Sequence, residues 1–214
     1  MPQQERAIRT RWAILEAAGK VFDEWGYEAA TIAQILAQAE VTRGALYFHF
    51  SSKEDLARGV LDTAVTTEGV LPQELKLQEL VDASLLLAYR LTREPLLRAS
   101  LRLSVDQRAR ALFGTRWPDW IEVVVELLRQ AEAGGETLPG VDHVQIARLL
   151  VGAWTGVQLV SDAVPQEGEL VHEIAALFRL VLPAIAVPEV LPRLDVAADR
   201  PLRLMSEAGV PAPD

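Results

Sequence analysis

Residues Val41–Leu56 read VTRGALYFHFSSKEDL, and this stretch decides the fold. Four consecutive rings, residues 47–50, lie between Arg43 and Lys53. The pattern predicts a helix of only about six residues, which is too short to be stable from its own hydrogen bonds. We therefore expect this helix to be held in place by packing against its neighbours.

The residues around this short helix predict a helix-turn-helix. Thr31 and Gln34 form a T-x-x-Q capping box, which begins a preceding helix that ends near Ala39. Thr42 caps the short helix, predicted at Arg43–Phe48. The turn of about three residues between the two helices is typical of helix-turn-helix motifs. Such a motif lays its second helix in the DNA major groove, with its N-terminal residues on base edges.

The residue types on the short helix suit contacts with DNA. Arg43 can bond a guanine edge bidentately, and Phe48 can lie against a thymine methyl group. Gly44 lets the backbone approach a phosphate, and Tyr47 offers a ring and a hydroxyl to the sugar-phosphate chain. The residues predicted to donate to phosphates are His49 and Lys53.

The alternative is that the rings fill a core and the charges are simply solvated. We accept this for Leu46 and Phe50, which are placed to hold the short helix, and we expect both to be buried. We do not accept it for Tyr47, which we expect at the surface.

The rest of the chain also has a helical pattern. A first helix is predicted from Arg9 to Trp25, ended by Gly26. A fourth begins after Ser52 and is predicted to run to about Leu71. Further helices are predicted at residues 74–92, 95–105, 107–113, 118–133, 141–162 and 169–185. No strand pattern is present, so the predicted fold class is all-α.

Composition describes an ordinary globular chain of 214 residues with a net charge of −9. The charge is uneven: residues 1–60 hold seven Lys/Arg and eight Asp/Glu, whereas residues 61–214 hold fourteen and twenty-two. The chain has no cysteine, which excludes disulfides and thiolate sites. We find no signal peptide and no long uncharged apolar stretch, so we expect a soluble cytoplasmic protein without a membrane partner.

Residues 9–58 resemble the DNA-binding domain of the TetR family of bacterial transcriptional regulators. The resemblance is carried by GALYFHF followed by SKEDL, and by the helix pattern before them. It implies that operator DNA is contacted by Thr31, Thr42, Arg43, Gly44, Tyr47, Phe48, His49 and Lys53. Within that set Phe48 would face the bases, and Lys53 would anchor the fourth helix. Arg6 and Arg9 would add contacts from an N-terminal arm.

The turn departs from the family pattern at Glu40, where glycine is usual. If this position requires a positive φ, glutamate costs about 1 kcal/mol there. Its carboxylate would also repel nearby phosphates.

A regulator of this type needs a second site, for which the sequence offers two apolar helices. WPDWIEVVVELL and VGAWTGVQLVS hold three of the five tryptophans among sparse polar residues, which suits a small amphipathic effector. The alternative is that these tryptophans only fill the core. Thr155 and Gln158 lie one turn apart and could bond a carbonyl or hydroxyl. The predicted effector residues are Trp117, Trp120, Val123, Val151, Trp154, Thr155 and Gln158.

These segments, taken with GALYFHF, most resemble the γ-butyrolactone-receptor branch of the TetR family. The resemblance implies that Trp120 lines the pocket and that Thr155 makes a polar contact. It also implies a repressor released from its operator by a small lactone signal, in the control of antibiotic production. Receptors of this branch often present a glutamine from helix four, where this chain has Ala64. A pseudo-receptor that senses an antibiotic or another end product is therefore an alternative.

The predicted organisation has three parts: residues 1–52 form a three-helix DNA-binding domain, residues 53–187 a helical ligand-binding and dimerisation bundle, and residues 188–214 a partly ordered proline-rich tail. The tail has one short helix near Pro201–Ala208. The last two long helices are too apolar for one solvated face each, which predicts a C2 homodimer. Helix four would connect DNA to the bundle.

Competing functions explain less of the sequence. The three histidines show no metal-ligand spacing, and no P-loop, G-x-S-x-G or dinucleotide motif is present, so no enzyme, metal or cofactor is predicted. A helical protein-interaction module without DNA binding would leave Arg43, Tyr47 and Lys53 without a role. A run of arginines between residues 90 and 116 is interpreted as salt-bridged, solvated faces.

Overall fold

The computed structural model describes residues 2–67, 69–164 and 169–208, with side chains from Gln4 onward. The fold of these residues is helical, and their only extended pairing is an isolated bridge between Thr137 and Ala186. The all-α prediction is therefore confirmed. The helices are α1 (Pro2–Ala29), α2 (Ile32–Ala39), α3 (Arg43–His49), α4 (Lys53–Asp62), α5 (Lys76–Leu91), α6 (Pro95–Val105), α7 (Gln107–Phe113), α8 (Trp117–Ala133), α9 (His143–Ala163), α10 (Leu170–Ile185), a 3₁₀ turn (Leu191–Arg193) and α11 (Arg200–Glu207).

The local start signals of the early helices act as predicted. Thr31, Thr42 and Ser52 each accept a hydrogen bond from the backbone N–H three residues later, at α2, α3 and α4. Gly26 interrupts α1 with a φ of +73°, a conformation that glycine adopts without strain. Helix α1 begins earlier than Arg9, so Arg6 and Arg9 lie on a helix rather than on an extended arm.

The prediction that the fourth helix runs to about Leu71 is wrong. Helix α4 ends at Asp62, and the Thr63 hydroxyl donates to the Val60 carbonyl at 2.7 Å. The following residues include Thr63, Val65, Thr66 and Thr67, and β-branched side chains have lower helix propensity. Helix α4 is therefore about nine residues shorter than predicted and lies within unit 1.

The chain forms two compact units whose limits differ from the predicted domains. Unit 1 contains Met1–Thr66 and Glu94–Arg116, and unit 2 contains Thr67–Arg93 and Trp117–Asp214. Helix α4, which the predicted division assigns to the second domain, is buried in the same core as α1. The chain then leaves unit 1 for α5 and returns with α6 and α7.

Two glycines allow the helices of unit 1 to approach closely. A Cβ atom on Gly19 of α1 would lie 2.9 Å from the Cα atom of Leu96 in α6. A Cβ atom on Gly59 of α4 would lie 2.8 Å from Leu15 Cδ2 and 3.1 Å from Phe50 Cε1. Helices α4 and α6 therefore pack on α1 at a distance that a larger side chain would disturb.

Unit 2 is arranged around the buried helix α5, which packs against α8, α10 and α11. No side chain within α5 caps its N-terminus, and Glu136 supplies the acceptors instead. The Glu136 carboxylate is buried and accepts the N–H groups of Lys76 and Leu77, each at 2.8 Å. The loop after α8 is thus fixed to the start of α5.

Residues 188–208 of the predicted tail belong to unit 2, and residues 209–214 lie outside the described part. Leu204 and Met205 of α11 are buried beside Leu86 and Tyr89 of α5. Arg200 donates two hydrogen bonds of 3.0 Å to the fully buried carboxylate of Asp82. Apolar burial and this ion pair together hold α11 on α5.

Candidate DNA interface and effector site

Helices α2 and α3 form the predicted helix-turn-helix. The Thr31 hydroxyl accepts the Gln34 N–H, and the Thr31 N–H donates to the Gln34 side chain at 2.8 Å, which completes the capping box. Glu40 ends α2 in the left-handed region, with φ 53° and ψ 36°. Thr42 then begins α3 by accepting the Ala45 N–H. The turn does require a positive φ where this chain carries glutamate.

Buried side chains hold α3 from beneath. Leu46 and Phe50 lie in the core of unit 1 with Leu15 and Leu56, as the sequence predicts. The guanidinium of Arg11 covers one face of the Phe50 ring, with its Cζ atom 4.8 Å from the ring centroid. These contacts supply the packing that a seven-residue helix needs.

The opposite face of α3 is presented outward. Phe48 is 80% exposed and Tyr47 is 42% exposed, so Tyr47 is not a core residue. The Arg43 guanidinium lies 5.5 Å from the Tyr47 ring centroid, and the His49 ring meets the Phe48 ring edge-on at 5.0 Å. No atom lies within 4 Å of the site a Cβ would occupy on Gly44. Thr31, Thr42 and Arg43 are exposed beside them.

Lys53 is engaged by the protein itself. Its ammonium donates to the Glu28 carbonyl at 3.2 Å and lies 4.5 Å from the Tyr27 ring centroid. The Tyr27 hydroxyl in turn donates to Glu54 at 3.3 Å. Burial and the nearby Glu54 carboxylate raise the pKa of Tyr27 to about 12. This contact network joins the start of α4 to the end of α1.

The arginines of α6 and α7 change the charge of the DNA-binding unit. Unit 1 contains twelve Lys/Arg and eleven Asp/Glu, a net of +1, whereas unit 2 contains nine and nineteen, a net of −10. Some of these arginines are paired as predicted: Arg98 bonds Asp23 at 2.9 Å, and Arg116 pairs with Asp62. The charge count for residues 1–60 alone gives a net of −1. It misses the positive charge of unit 1 because the arginines of α6 and α7 come later in the sequence but belong to that unit.

The predicted effector residues lie on two helices of unit 2 that pack together. Trp117, Trp120 and Val123 belong to α8, and the remaining four belong to α9. All are half-buried except Gln158, which is only 5% exposed. The structure therefore brings the two predicted sets onto neighbouring helices of one unit.

Hydrogen bonds fix the polar members of the α9 set. The Trp154 indole N–H donates to the Ser84 carbonyl of α5 at 3.4 Å. The Thr155 hydroxyl donates to the Val151 carbonyl at 2.8 Å. The Gln158 amide nitrogen donates to Asp162, one turn further along α9. Ser84 and Asp162 are not identified from the sequence as hydrogen-bond partners of these residues. Asp162 could have been identified, because it lies four residues after Gln158 and therefore one helical turn away. No sequence spacing indicates Ser84.

Ala64 follows the end of α4 in unit 1 and is half-buried. The effector residues named above belong to unit 2. The position at which the resemblance expects a polar contact from helix four therefore carries a methyl group and lies outside the helix.

Helices α9 and α10 expose large apolar side chains. Those with the largest exposed fractions in these helices include Val144, Leu149, Leu159, Val160 and Leu180. By length and composition, α9 is also the one candidate membrane span in the described part of the chain, and a single such helix is weak evidence. An apolar face of this kind equally suits contact with a second protein chain.

The acidic groups near the histidines include Asp142 and Glu132. Asp142 caps α9 by accepting the Gln145 N–H at 3.0 Å. His143 lies 3.6 Å from Glu132, and His172 is exposed. Within the described residues, no group of three His, Cys, Asp or Glu side chains is placed to hold a metal ion.

Comparison with known proteins agrees with this geometry. The sequence profile described as bacterial regulatory proteins, tetR family, matches residues 14–60. The A-factor receptor protein of Streptomyces griseus is 38% identical over 205 residues, which cover 92% of this chain and 74% of that protein. Full-length TylP, a TetR regulator from Streptomyces fradiae, is 43% identical, with a TM-score of 0.84 over 98% of this chain and 97% of that one. A γ-butyrolactone receptor described as ArpA-like is 27% identical, with a TM-score of 0.69 over 94% and 98% of the two chains.

The fold and the exposed recognition helix thus define a DNA-binding transcriptional regulator, and the chain belongs to the TetR family. Within that family it is similar to the A-factor receptor and to γ-butyrolactone receptors. These relatives are regulators and not enzymes, and family membership removes the hypothesis of an interaction module without DNA binding.

Proposed function

We propose that this protein is a repressor that binds its operator as a homodimer and is released by a γ-butyrolactone-like signal. The observation that carries the proposal is the extent of the likeness to the A-factor receptor, which runs through both units rather than the DNA-binding segment alone. The effector half is therefore similar to that of a receptor, and not only the helix-turn-helix. We place the protein in the cytoplasm, where operator DNA is found.

Operator recognition is assigned to the exposed face of α3. Arg43 offers a bidentate donor for guanine, and Phe48 offers an apolar ring for a thymine methyl group. Thr31, Thr42, Gly44, Tyr47 and His49 position the helix on the backbone. Lys53 contributes by anchoring α4, since its ammonium is already bonded to Glu28. The net positive charge of unit 1 supports approach to DNA.

Dimerisation is assigned to the exposed apolar face of α9 and α10, which in a homodimer would pair with the same face of a second copy. A C2 dimer presents two copies of α3, and two recognition helices reach successive major grooves when they are about 34–36 Å apart. Operator half-sites would then have the same spacing.

Release is assigned to a shift between two conformational states. An effector that binds more tightly to the state with the wrong α3 spacing lowers operator affinity, and coupling of this kind is typically about 1–3 kcal/mol. The effector residues of α8 and α9 provide an apolar lining with few polar groups, which suits a lactone with an alkyl chain.

A second candidate is a pseudo-receptor that senses an antibiotic or another end product. Ala64 favours it, because a methyl group replaces the amide that the resemblance expects near helix four. The same fold and operator contacts would serve either effector.

The experiment uses an operator fragment selected by the protein from a random DNA pool. Fluorescence anisotropy of the labelled fragment is followed while γ-butyrolactones with alkyl side chains, and separately a panel of antibiotics, are added. Release by lactones supports the proposal. Release only by an antibiotic supports the pseudo-receptor, and selection of no DNA sequence contradicts both.

A further inference from the structure

One buried polar atom among the effector residues has no partner within the described part of the chain. Gln158 is 5% exposed, and its side-chain oxygen Oε1 is buried without a hydrogen-bond partner. The amide orientation is fixed, because a carboxylate can only accept and Gln158 Nε2 donates to Asp162. Oε1 therefore remains as an acceptor.

Bulk solvent does not reach this acceptor, and neither does a second protomer packed on the exposed face of α9. The atom is already inaccessible within a single chain, so a partner packed on the exposed residues of α9 cannot reach it. Buried polar side-chain atoms are nearly always hydrogen-bonded, and an exception calls for an explanation. A donor that enters unit 2 itself satisfies this requirement.

The neighbouring polar groups show which chemistry is missing. Trp154 and Thr155 lie one turn before Gln158, and each already donates its hydrogen to a backbone carbonyl. Thr155 Oγ1 and Gln158 Oε1 keep acceptor capacity on this side of α9, beside the second hydrogen of Gln158 Nε2. A lactone ring and an alkyl chain bring only acceptors and apolar surface, so they supply no donor to Gln158 Oε1.

We propose that the effector carries a hydroxyl group that donates a hydrogen bond to Gln158 Oε1. This inference rests on the proposed function and narrows its ligand class to γ-butyrolactones whose side chain bears a hydroxyl. Gln158 thereby distinguishes the hydroxylated lactone from a lactone of the same carbon skeleton that carries a ketone in place of the hydroxyl. The ketone oxygen can accept a hydrogen bond, but it has no hydrogen to donate to Gln158 Oε1.

The test compares three synthetic lactones of equal chain length, which carry a hydroxyl, a ketone or no oxygen at the first side-chain carbon. Dissociation constants are measured by quenching of tryptophan fluorescence, with the wild-type protein and with Gln158→Met, which has a similar shape but no amide. Gln145→Met, on the exposed face of the same helix, is the matched control. Thermal melting establishes that both variants are folded.

The wild-type protein and Gln145→Met should bind the hydroxylated lactone about tenfold or more tightly than the other two, since an unmet buried acceptor is costly. Gln158→Met should bind all three with similar affinity. Equal binding of the three by the wild-type protein overturns the inference and leaves the proposed function standing. Retained preference in Gln158→Met removes the assignment to this residue. The comparison of the three lactones on the wild-type protein does not depend on whether that variant folds. If the wild-type protein binds none of the three lactones, both the inference and the proposed lactone effector are overturned. Operator binding is measured separately on the same preparations, so that DNA binding is judged independently of the effector.

Discussion

Substitution of Phe48 by alanine should weaken operator binding without weakening the fold. The Phe48 ring is 80% exposed on α3, so little apolar contact within the protein is lost. Full burial of such a side chain contributes about 1.5–3 kcal/mol, and most of that remains available to DNA. We expect a loss of about 1–2 kcal/mol per protomer, or about 2–4 kcal/mol for a dimer with two recognition helices. Operator affinity should fall by about 30- to 1000-fold.

Phe50 provides the contrast two residues further along. It is 2% exposed and lies in the core beside Leu15 and Leu56, so Phe50→Ala should cost about 3–5 kcal/mol of folding stability. The two substitutions therefore distinguish the outward surface of α3 from the core packing that holds the helix in place.

The assay measures operator binding by fluorescence anisotropy at one fixed salt concentration, and stability by urea unfolding followed by circular dichroism. Phe48→Ala should have the unfolding midpoint of the wild-type protein and a much weaker operator complex. The reasoning is refuted if Phe48→Ala binds the operator within about twofold of the wild-type protein, a difference below the expected free energy. It is also refuted if Phe48→Ala loses as much stability as Phe50→Ala.

Three further substitutions test other parts of the structure. Glu40→Gly should raise the free energy of unfolding by about 1 kcal/mol, because the left-handed φ of 53° strains glutamate; an unchanged urea midpoint would contradict this. Arg200→Met should cost about 3–5 kcal/mol, because it leaves the buried Asp82 carboxylate without its partner. Adding Asp82→Asn should recover part of that loss, and additive losses in urea would argue against a coupled pair. The pKa of Tyr27 is raised from 10.0 to about 12, so the unfolded chain releases this proton first. The stabilisation that the protonated Tyr27 phenol contributes is complete below pH 10 and is lost as the pH rises towards 12. The difference in free energy of unfolding between the wild-type protein and Tyr27→Phe should therefore shrink over this range. A constant difference would show that the pKa of Tyr27 is unperturbed.

The sequence predicts the helix-turn-helix well because its determinants are local. The hydroxyls of Thr31 and Thr42 cap helices within three residues, and the positive φ at Glu40 follows from the position of the turn. Burial of Phe50 and exposure of Tyr47 follow from the short length of α3, which needs support on one side only.

Long-range packing is what the sequence pattern does not show. Helix α6 returns to unit 1 because Gly19 lets its backbone approach Leu96, a contact across more than seventy residues of chain. The docking of α11 depends on the pairing of Arg200 with Asp82, which have no local relation. The composition of the tail predicts weak order, and this specific pairing overrides it.

The positions of the candidate effector residues along α8 and α9 could be predicted, but not all of their hydrogen-bond partners could. Helical spacing places Thr155 and Gln158 on one side of α9, and the packing of α8 on α9 brings the tryptophan-rich segments together. The spacing does not reveal which hydrogen-bonding groups are already used. That depends on the Ser84 carbonyl of α5 and on the Asp162 carboxylate.

The most direct test of operator reading by α3 is photocross-linking with 5-iodouracil in place of individual thymines in the selected operator. Iodine occupies the position of the thymine methyl group and, on irradiation, cross-links an adjacent aromatic side chain. Mass spectrometry of a tryptic digest identifies the attached peptide. We expect attachment at Tyr47 or Phe48, in the tryptic peptide of residues 44–53. The cross-linked thymine should occupy the equivalent position in each half-site. Cross-links confined to peptides outside α3 would contradict it.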